Sequence, residues 1–250
     1  RDFSMTAPAN TTTANANATP GESSKQWPPG YRINPRAEGP AAEVIAGFNG
    51  LPAAAIGDAM SRNIGTVGLR QYHARLDTTL CGPALTVRVR PGDNLMIHKA
   101  LMMAQPGDVV VIDGGGDVSQ ALVGGLMRTT CIAKKLGGLV IDGAIRDLTE
   151  WAEEGMPIFA RGHTHRGPSK DGPGEINIPV CVAGLVVQPG DLVVGDADGV
   201  IAIPAAEAAE VLAKTQAHLA KEAKIREQNK TGTSDPERFD AVLRAKGLPV

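Results

Sequence analysis

The stretch 108-DVVVIDGGGDVSQALVGGLMRTTCIAKKLGGLVIDGAIRD-147 contains two short apolar runs of the kind that make buried strands. The β-branched run 108-DVVVIDGGG-116 is bounded by glycines, and 138-GLVIDG-143 repeats the pattern. The residues between them, 118 to 136, have the length and spacing of a helix. Strand, helix and strand at this interval place the two strands side by side and parallel in an α/β layer. Upstream, Leu85, Val87 and Val89 alternate with Thr86, Arg88 and Arg90, which predicts a strand over 78–93. A helix is predicted over 94–104, and two short ones over 41–50 and 52–62. Downstream of 156 the texture changes to short strands joined by Gly-Asp turns, at 157–162, 177–184, 185–196 and 199–204. A long helix is predicted over 205–229 and a final short one over 236–246. The chain reads as one mixed α/β domain, 39–230, with a tail at 1–38 and an extension at 231–250.

Composition narrows the function. Of 250 residues, 42% are hydrophobic and 21% charged, ordinary for a globular protein, and the net charge is -2. Aromatic residues make up 3%, too few for stacking platforms along a single strand. With no basic stripe either, a nucleic-acid partner is not expected. No apolar run reaches the ~20 residues that span a bilayer, and the N-terminus lacks the apolar core of a signal peptide. Cys81, Cys131 and Cys181 are far apart and fit no zinc spacing, so reduced thiols and a cytoplasmic location are expected. The tail segment 6–30, rich in Thr, Asn, Ala and Pro, has almost nothing to bury and is expected to be disordered or loosely docked through Trp27 and Tyr31.

Charged residues follow the strand 138–143 directly: Arg146, Asp147 and Glu150. Ligands of α/β sheets bind outside the carboxyl ends of strands, and an arginine fork matches a carboxylate. Asp147 and Glu150, three apart, lie on one helix face and can share a hard cation. The same spacing also fits a capping box, with Asp147 at the N-cap and Glu150 reaching back. The Gly124–Gly125 pair, with Leu126 and Met127, offers helix-start amides to an anion or simply close helix packing. In 91-PGDNLMIHKAL-101, Asp93 or Asn94 is a candidate cap, and Asn94 and His98 share one face. His163 and His165 form an H-x-H in a Gly- and Arg-rich segment that reads as a loop. Val211, Thr215, Leu219 and Glu222 form one stripe of the closing helix, packable at its start and acidic at its end.

Taken together, PGDNLMIH, GGLVIDGAIRD and NIPVCVAGLVVQPGDLVVGDADGVIAIP resemble the RraA-like family over about 41–230. Within it, the chain is most similar to metal-dependent (class II) pyruvate aldolases acting on 4-hydroxy-4-methyl-2-oxoglutarate and 4-carboxy-4-hydroxy-2-oxoadipate. The resemblance implies a layered α/β/β/α sandwich with a βαβ-rich core. It also implies homotrimers or homohexamers with sites at subunit interfaces, and Mg2+ or Mn2+ as cofactor. It further implies that Arg146 holds the pyruvate carboxylate, that Asp147 ligates the metal, and that amides from Gly124 to Met127 help to bind the substrate. Asp58 and Glu222 would lie around the site, Glu222 from a neighbouring subunit, with Arg62, Asn94 and His98 on polar positions near it. One position departs from the aldolase pattern. Gly125 stands where those enzymes keep an aspartate, and Glu150 is the substitute carboxylate available for the metal.

The expected function is therefore a lyase that cleaves a C–C bond of a 2-oxo diacid through a pyruvate enolate, by aldol cleavage or by decarboxylation of oxaloacetate. Two alternatives stand beside it. One is a non-catalytic regulator of ribonuclease activity, as in the founding member of the family. The other is a different lyase or hydrolase reaction on a related acid. If Gly125 marks a missing acid, Gly125→Asp is expected to raise any weak decarboxylation.

Overall fold

The computed structural model describes residues 27–250 apart from 154, 233, 234 and 236; the tail reading for residues 1–26 lies outside the described residues. The chain runs β1 (Tyr31–Ile33), α1 (Ala42–Phe48), α2 (Ala53–Ala59), β2 (Arg70–Gln71), β3 (Leu80–Val89) and α3 (Leu95–Met103). It continues through β4 (Val109–Asp113), β5 (Ala121–Val123), α4 (Gly125–Ala133), β6 (Gly138–Ile145), α5 (Leu148–Trp151) and β7 (Ile158–His163). Five short strands follow: β8 (Gly174–Ile176), β9 (Val180–Val182), β10 (Leu185–Val187), β11 (Leu192–Asp196) and β12 (Gly199–Ile203). Helices α6 (Ala208–Lys230) and α7 (Glu237–Ala245) close the chain.

The main sheet runs β1-β8-β3-β4-β6-β7-β2, and its centre, β3 through β7, is parallel as the opening stretch predicts. All eight residues of β6 are buried, which explains the continuous apolar run. On one face of the sheet, Leu85, Ile112 and Ile141 pack with Ile97 and Leu101 of α3 and Met127 and Cys131 of α4. On the other face, Val109, Val111 and Val140 meet Val180, Val182, Val193 and Ala202. The opposite side of β11 and β12, carrying Leu192, Val194, Ile201 and Ile203, is covered by Phe48, Ile56, Ala208 and Val211 of α1, α2 and α6. The result is an α/β/β/α sandwich in which β11 and β12 are buried on both faces.

Two local features differ from the sequence reading. The expected helix over 118–136 is a strand and a shorter helix, because Ala121–Val123 pairs with the carboxyl end of β6 before α4 begins. The end of the tail is also built into the body: Tyr31–Ile33 lies parallel to β8, and the Tyr31 hydroxyl donates to the Asp171 carbonyl at 2.6 Å. Among the described residues, no helix is long and apolar enough to cross a membrane.

Candidate active site

The start of α4 and the end of β6 are laced together. Arg146 N–H donates to the Val123 carbonyl at 3.0 Å, and the indole of fully buried Trp151 donates to the Arg146 carbonyl at 2.9 Å. Arg146 is thereby fixed at its backbone, while its side chain stays partly exposed. Asp147 follows in the left-handed region, with φ 62° and ψ 47°. A non-glycine residue held there stores strain, which aspartate tolerates better than most.

The capping box expected at 147–150 does not form, since Asp147 makes no side-chain cap bond to α5. The left-handed turn instead aims its carboxylate back across the chain, where Oδ2 accepts the Gly125 N–H at 2.8 Å and lies 3.5 Å from Arg146 Nε. Glycine at 124 and 125 leaves the space into which these carboxylates reach. A Cβ on Gly124 would lie 2.5 Å from Asp147 Oδ2, and one on Gly125 would overlap the Glu150 carboxylate. The Glu150 carboxylate thus occupies the space that a side chain at 125 would enter.

Beside this junction opens a cleft of about 110 Å3, bordered by Asn94, His98, Leu122, Gly124, Leu126, Met127, Arg146, Pro168 and Lys170. Asn94 is buried; its amide nitrogen donates to the Leu122 carbonyl at 2.9 Å, and its Oδ1 has no hydrogen-bond partner among the described residues. Burial, and then the nearby Lys170 charge, hold the His98 pKa below its ordinary 6.5, which keeps the ring neutral at pH 7. Of the first α4 amides, Gly125 is taken by Asp147 and Met127 by the Gly124 carbonyl. The Leu126 N–H has no protein acceptor among the described residues. A second hollow, lined by Arg146, Asp147, His163, Thr164 and His165, shares Arg146 with the first. The H-x-H pair therefore borders Asp147, with His163 edge-on to Tyr72 at 5.8 Å.

Asn94, His98, Gly124, Leu126, Met127 and Arg146 are thus gathered at one cleft, with Gly125, Asp147 and Glu150 directly behind it. Asp58, Arg62 and Glu222 are not among them. Within one chain they line a separate hollow between α2 and α6, where His218 Nε2 lies 3.2 Å from Asp58 Oδ2 and 3.3 Å from Glu222 Oε1. Arg62 Nε is 3.1 Å from Asp58 Oδ1. Sequence reasoning missed His218, although its i,i+4 spacing to Glu222 is visible, and missed Lys170, which sits in a turn-rich segment without periodicity.

The oxygen donors behind the cleft suit a hard divalent cation. Asp147 is half-exposed with Oδ1 uncommitted, Glu150 adds a second carboxylate, and Mg2+ characteristically takes one or two carboxylates and completes its shell with water. Among the described residues, the group of three potential ligands that comes together is Asp58, His218 and Glu222, in the other hollow.

Comparison with known proteins gives the family. The profile of the RraA-like family, described as Aldolase/RraA, matches residues 53–202. A protein of Halalkalibacterium halodurans, provisionally named 4-hydroxy-4-methyl-2-oxoglutarate aldolase, is 40% identical over 176 residues, 70% of this chain and 82% of its own. The 4-hydroxy-4-methyl-2-oxoglutarate aldolase of Thermus thermophilus is 35% identical over 49% of this chain and 74% of its own. The crystal structure of Streptomyces coelicolor RraAS2, described as an unusual member of the RNase ES inhibitor RraA family, superposes with a TM-score of 0.70 at 28% identity. That superposition covers 76% of this chain and 98% of RraAS2. With the family profile spanning more than half of the chain and the sandwich shared, the chain belongs to the RraA-like family.

Proposed function

We propose that the chain is a divalent-metal-dependent lyase that releases pyruvate from a 2-oxo diacid, by retro-aldol cleavage of a 4-hydroxy-4-methyl-2-oxoglutarate-type substrate or by decarboxylation of oxaloacetate. The observation that carries this reading is the junction of Arg146, Asp147 and the α4 amides at the cleft, bound together through Asp147 Oδ2 and Gly125 N–H. The aldolase names of the relatives from H. halodurans and T. thermophilus support it.

In this reading Asp147 and Glu150 hold Mg2+ or Mn2+, which when bound supplies Lewis-acid stabilisation for the negative charge that develops on the 2-oxo oxygen. Arg146 pairs with the substrate carboxylate through its guanidinium fork. The Leu126 amide, at the positive end of α4, donates to an oxygen of the same group. Decarboxylation needs no base to break the C–C bond. Aldol cleavage must remove the proton of the 4-hydroxyl, and neutral His98 and the Glu150 carboxylate are acceptors this chain offers near the cleft. Copies of the chain assemble as a trimer or hexamer, and Asp58, Arg62 and Glu222 act across the subunit boundary.

Pyruvate release from oxaloacetate and from 4-hydroxy-4-methyl-2-oxoglutarate, followed with and without EDTA, tests the proposal. Turnover should vanish with EDTA, return with Mg2+ or Mn2+, and fall by roughly 100-fold or more in Arg146→Ala and Asp147→Asn. No turnover on either acid, or turnover indifferent to EDTA, refutes it. The likeness to RraAS2 supports a second reading, regulation of a ribonuclease by direct binding. Stoichiometric capture of such an enzyme by a chain without measurable metal affinity would favour that reading.

A further inference from the structure

Lys170 borders the cleft on the side formed by the segment after β7, among residues that include Arg146 but no acidic side chain. Two cationic side chains, Arg146 and Lys170, therefore border the cleft. Arg146 lies near Asp147, whereas Lys170 has no ion-pair partner among the described residues. Its side chain is exposed, so the full charge is available to a ligand.

The backbone under Lys170 is held on both sides. Ser169 N–H donates to the Gly92 carbonyl at 2.8 Å, and Asn94 N–H donates to the Ser169 carbonyl at 3.0 Å. The carboxylate of Asp93, fully buried, accepts the Ser169 hydroxyl and the Asp171 N–H, both at 2.7 Å, and the Leu95 N–H at 3.0 Å. These backbone and hydroxyl donors, the Gly172 N–H among them, hold the Asp93 pKa below its ordinary value despite its burial. Tyr31 closes the far side by bonding the Asp171 carbonyl. One buried carboxylate thus fixes both the start of α3, which carries Asn94 and His98, and the turn that carries Lys170.

We propose that Lys170 is the specificity-determining residue of the cleft, binding the carboxylate remote from the one held by Arg146, with Asp93 and Ser169 as positioning residues that set its place. This rests on the reading of the cleft as a 2-oxo acid site. A monoacid would leave Lys170 without a counter-charge, so the selection acts on the second carboxylate.

Two substrates that both yield pyruvate by retro-aldol cleavage separate the effect: 4-hydroxy-4-methyl-2-oxoglutarate, with a second carboxylate, and 4-hydroxy-2-oxopentanoate, without one. In Lys170→Met, kcat/KM for the diacid should fall by about 10- to 100-fold, mainly through KM, and the diacid-to-monoacid ratio should fall nearly as far. Lys170→Arg should recover most of the ratio, and Ser169→Ala should move it in the same direction by a smaller factor. An unchanged ratio in Lys170→Met overturns the proposal and leaves the lyase reading standing. If neither compound turns over, turnover of oxaloacetate still decides the lyase reading, and calorimetry with 2-oxoglutarate and 2-oxopentanoate decides the proposal. Tighter binding of the dianion that disappears in Lys170→Met supports it, and equal affinities in both proteins overturn it.

Discussion

The carboxylate of Glu150 rests where a side chain on Gly125 would begin, which turns a substitution between two distant sequence positions into an exchange at one point in space. The expectation that Gly125→Asp alone raises activity changes accordingly. An added aspartate would crowd Glu150, and two carboxylates at one spot resist joint ionisation. Gly125→Asp should therefore leave the rate of pyruvate release level or lower, whereas Gly125→Asp with Glu150→Ala should exceed the native rate by about tenfold. A single variant as active as the double one would show that the two positions do not compete. Much of this site was legible before the structure. Arg146 and Asp147 follow a buried strand, and Asn94 and His98 share a helix face. The direction of Asp147 was not legible. The spacing to Glu150 fits a capping box, and only the left-handed backbone at 147 sends the carboxylate to Gly125 instead.

Among the elements, β5 shows where periodicity runs out. Three apolar residues, Ala121–Val123, read equally well as the first turn of a helix or as a short strand, and pairing with β6 decides for the strand. β2 is another short element whose place depends on a single neighbour. Just after it, Nδ1 of buried His73 lies 3.1 Å from the Ile158 nitrogen and 3.2 Å from the Ile158 carbonyl oxygen, and the ring stands edge-on to Phe159 at 5.3 Å. Burial pushes the His73 pKa below 6.5, outweighing the backbone hydrogen bonds at Ile158 and Thr78 that favour the charged ring. The sign of the linkage follows. Above pH 6.5 the ring is neutral in folded and unfolded chains alike. As pH falls below 6.5 the unfolded chain takes up the proton first, so stability is lost until the depressed folded value is passed. Urea midpoints should drop between pH 7.5 and 5.5, and His73→Leu should flatten that drop even though it lowers the midpoint at pH 7.5. His98, depressed in the same direction, leaves a residual slope. A pH dependence as steep in His73→Leu as in the native chain would assign the effect elsewhere.

For the molecule as a whole, the hollow holding Asp58, His218 and Glu222 belongs to the outer layer, where α2 packs on α6, while the Arg146 cleft lies at the end of β6 in the main sheet. Both α/β layering and the two buried faces of β11–β12 follow from apolar patterning that the sequence carries openly. The relation between the two polar sites does not, because in the proposed assembly it depends on how copies of the chain meet. If Asp58 and Glu222 serve the cleft of a neighbour, Arg146→Ala and Glu222→Gln damage different subunits of one site. Each variant alone should be nearly inactive. Mixed in equal amounts under conditions that exchange subunits, they should form sites pairing an intact Arg146 with an intact Glu222 at about a quarter of all boundaries, and recover about that share of native activity. Exchange has to be verified independently, for example by mass spectrometry of differently tagged chains. Exchange without recovery would confine the chemistry to one chain, and Glu222 and Asp58 would then act only as polar partners of His218 and Arg62 between α2 and α6.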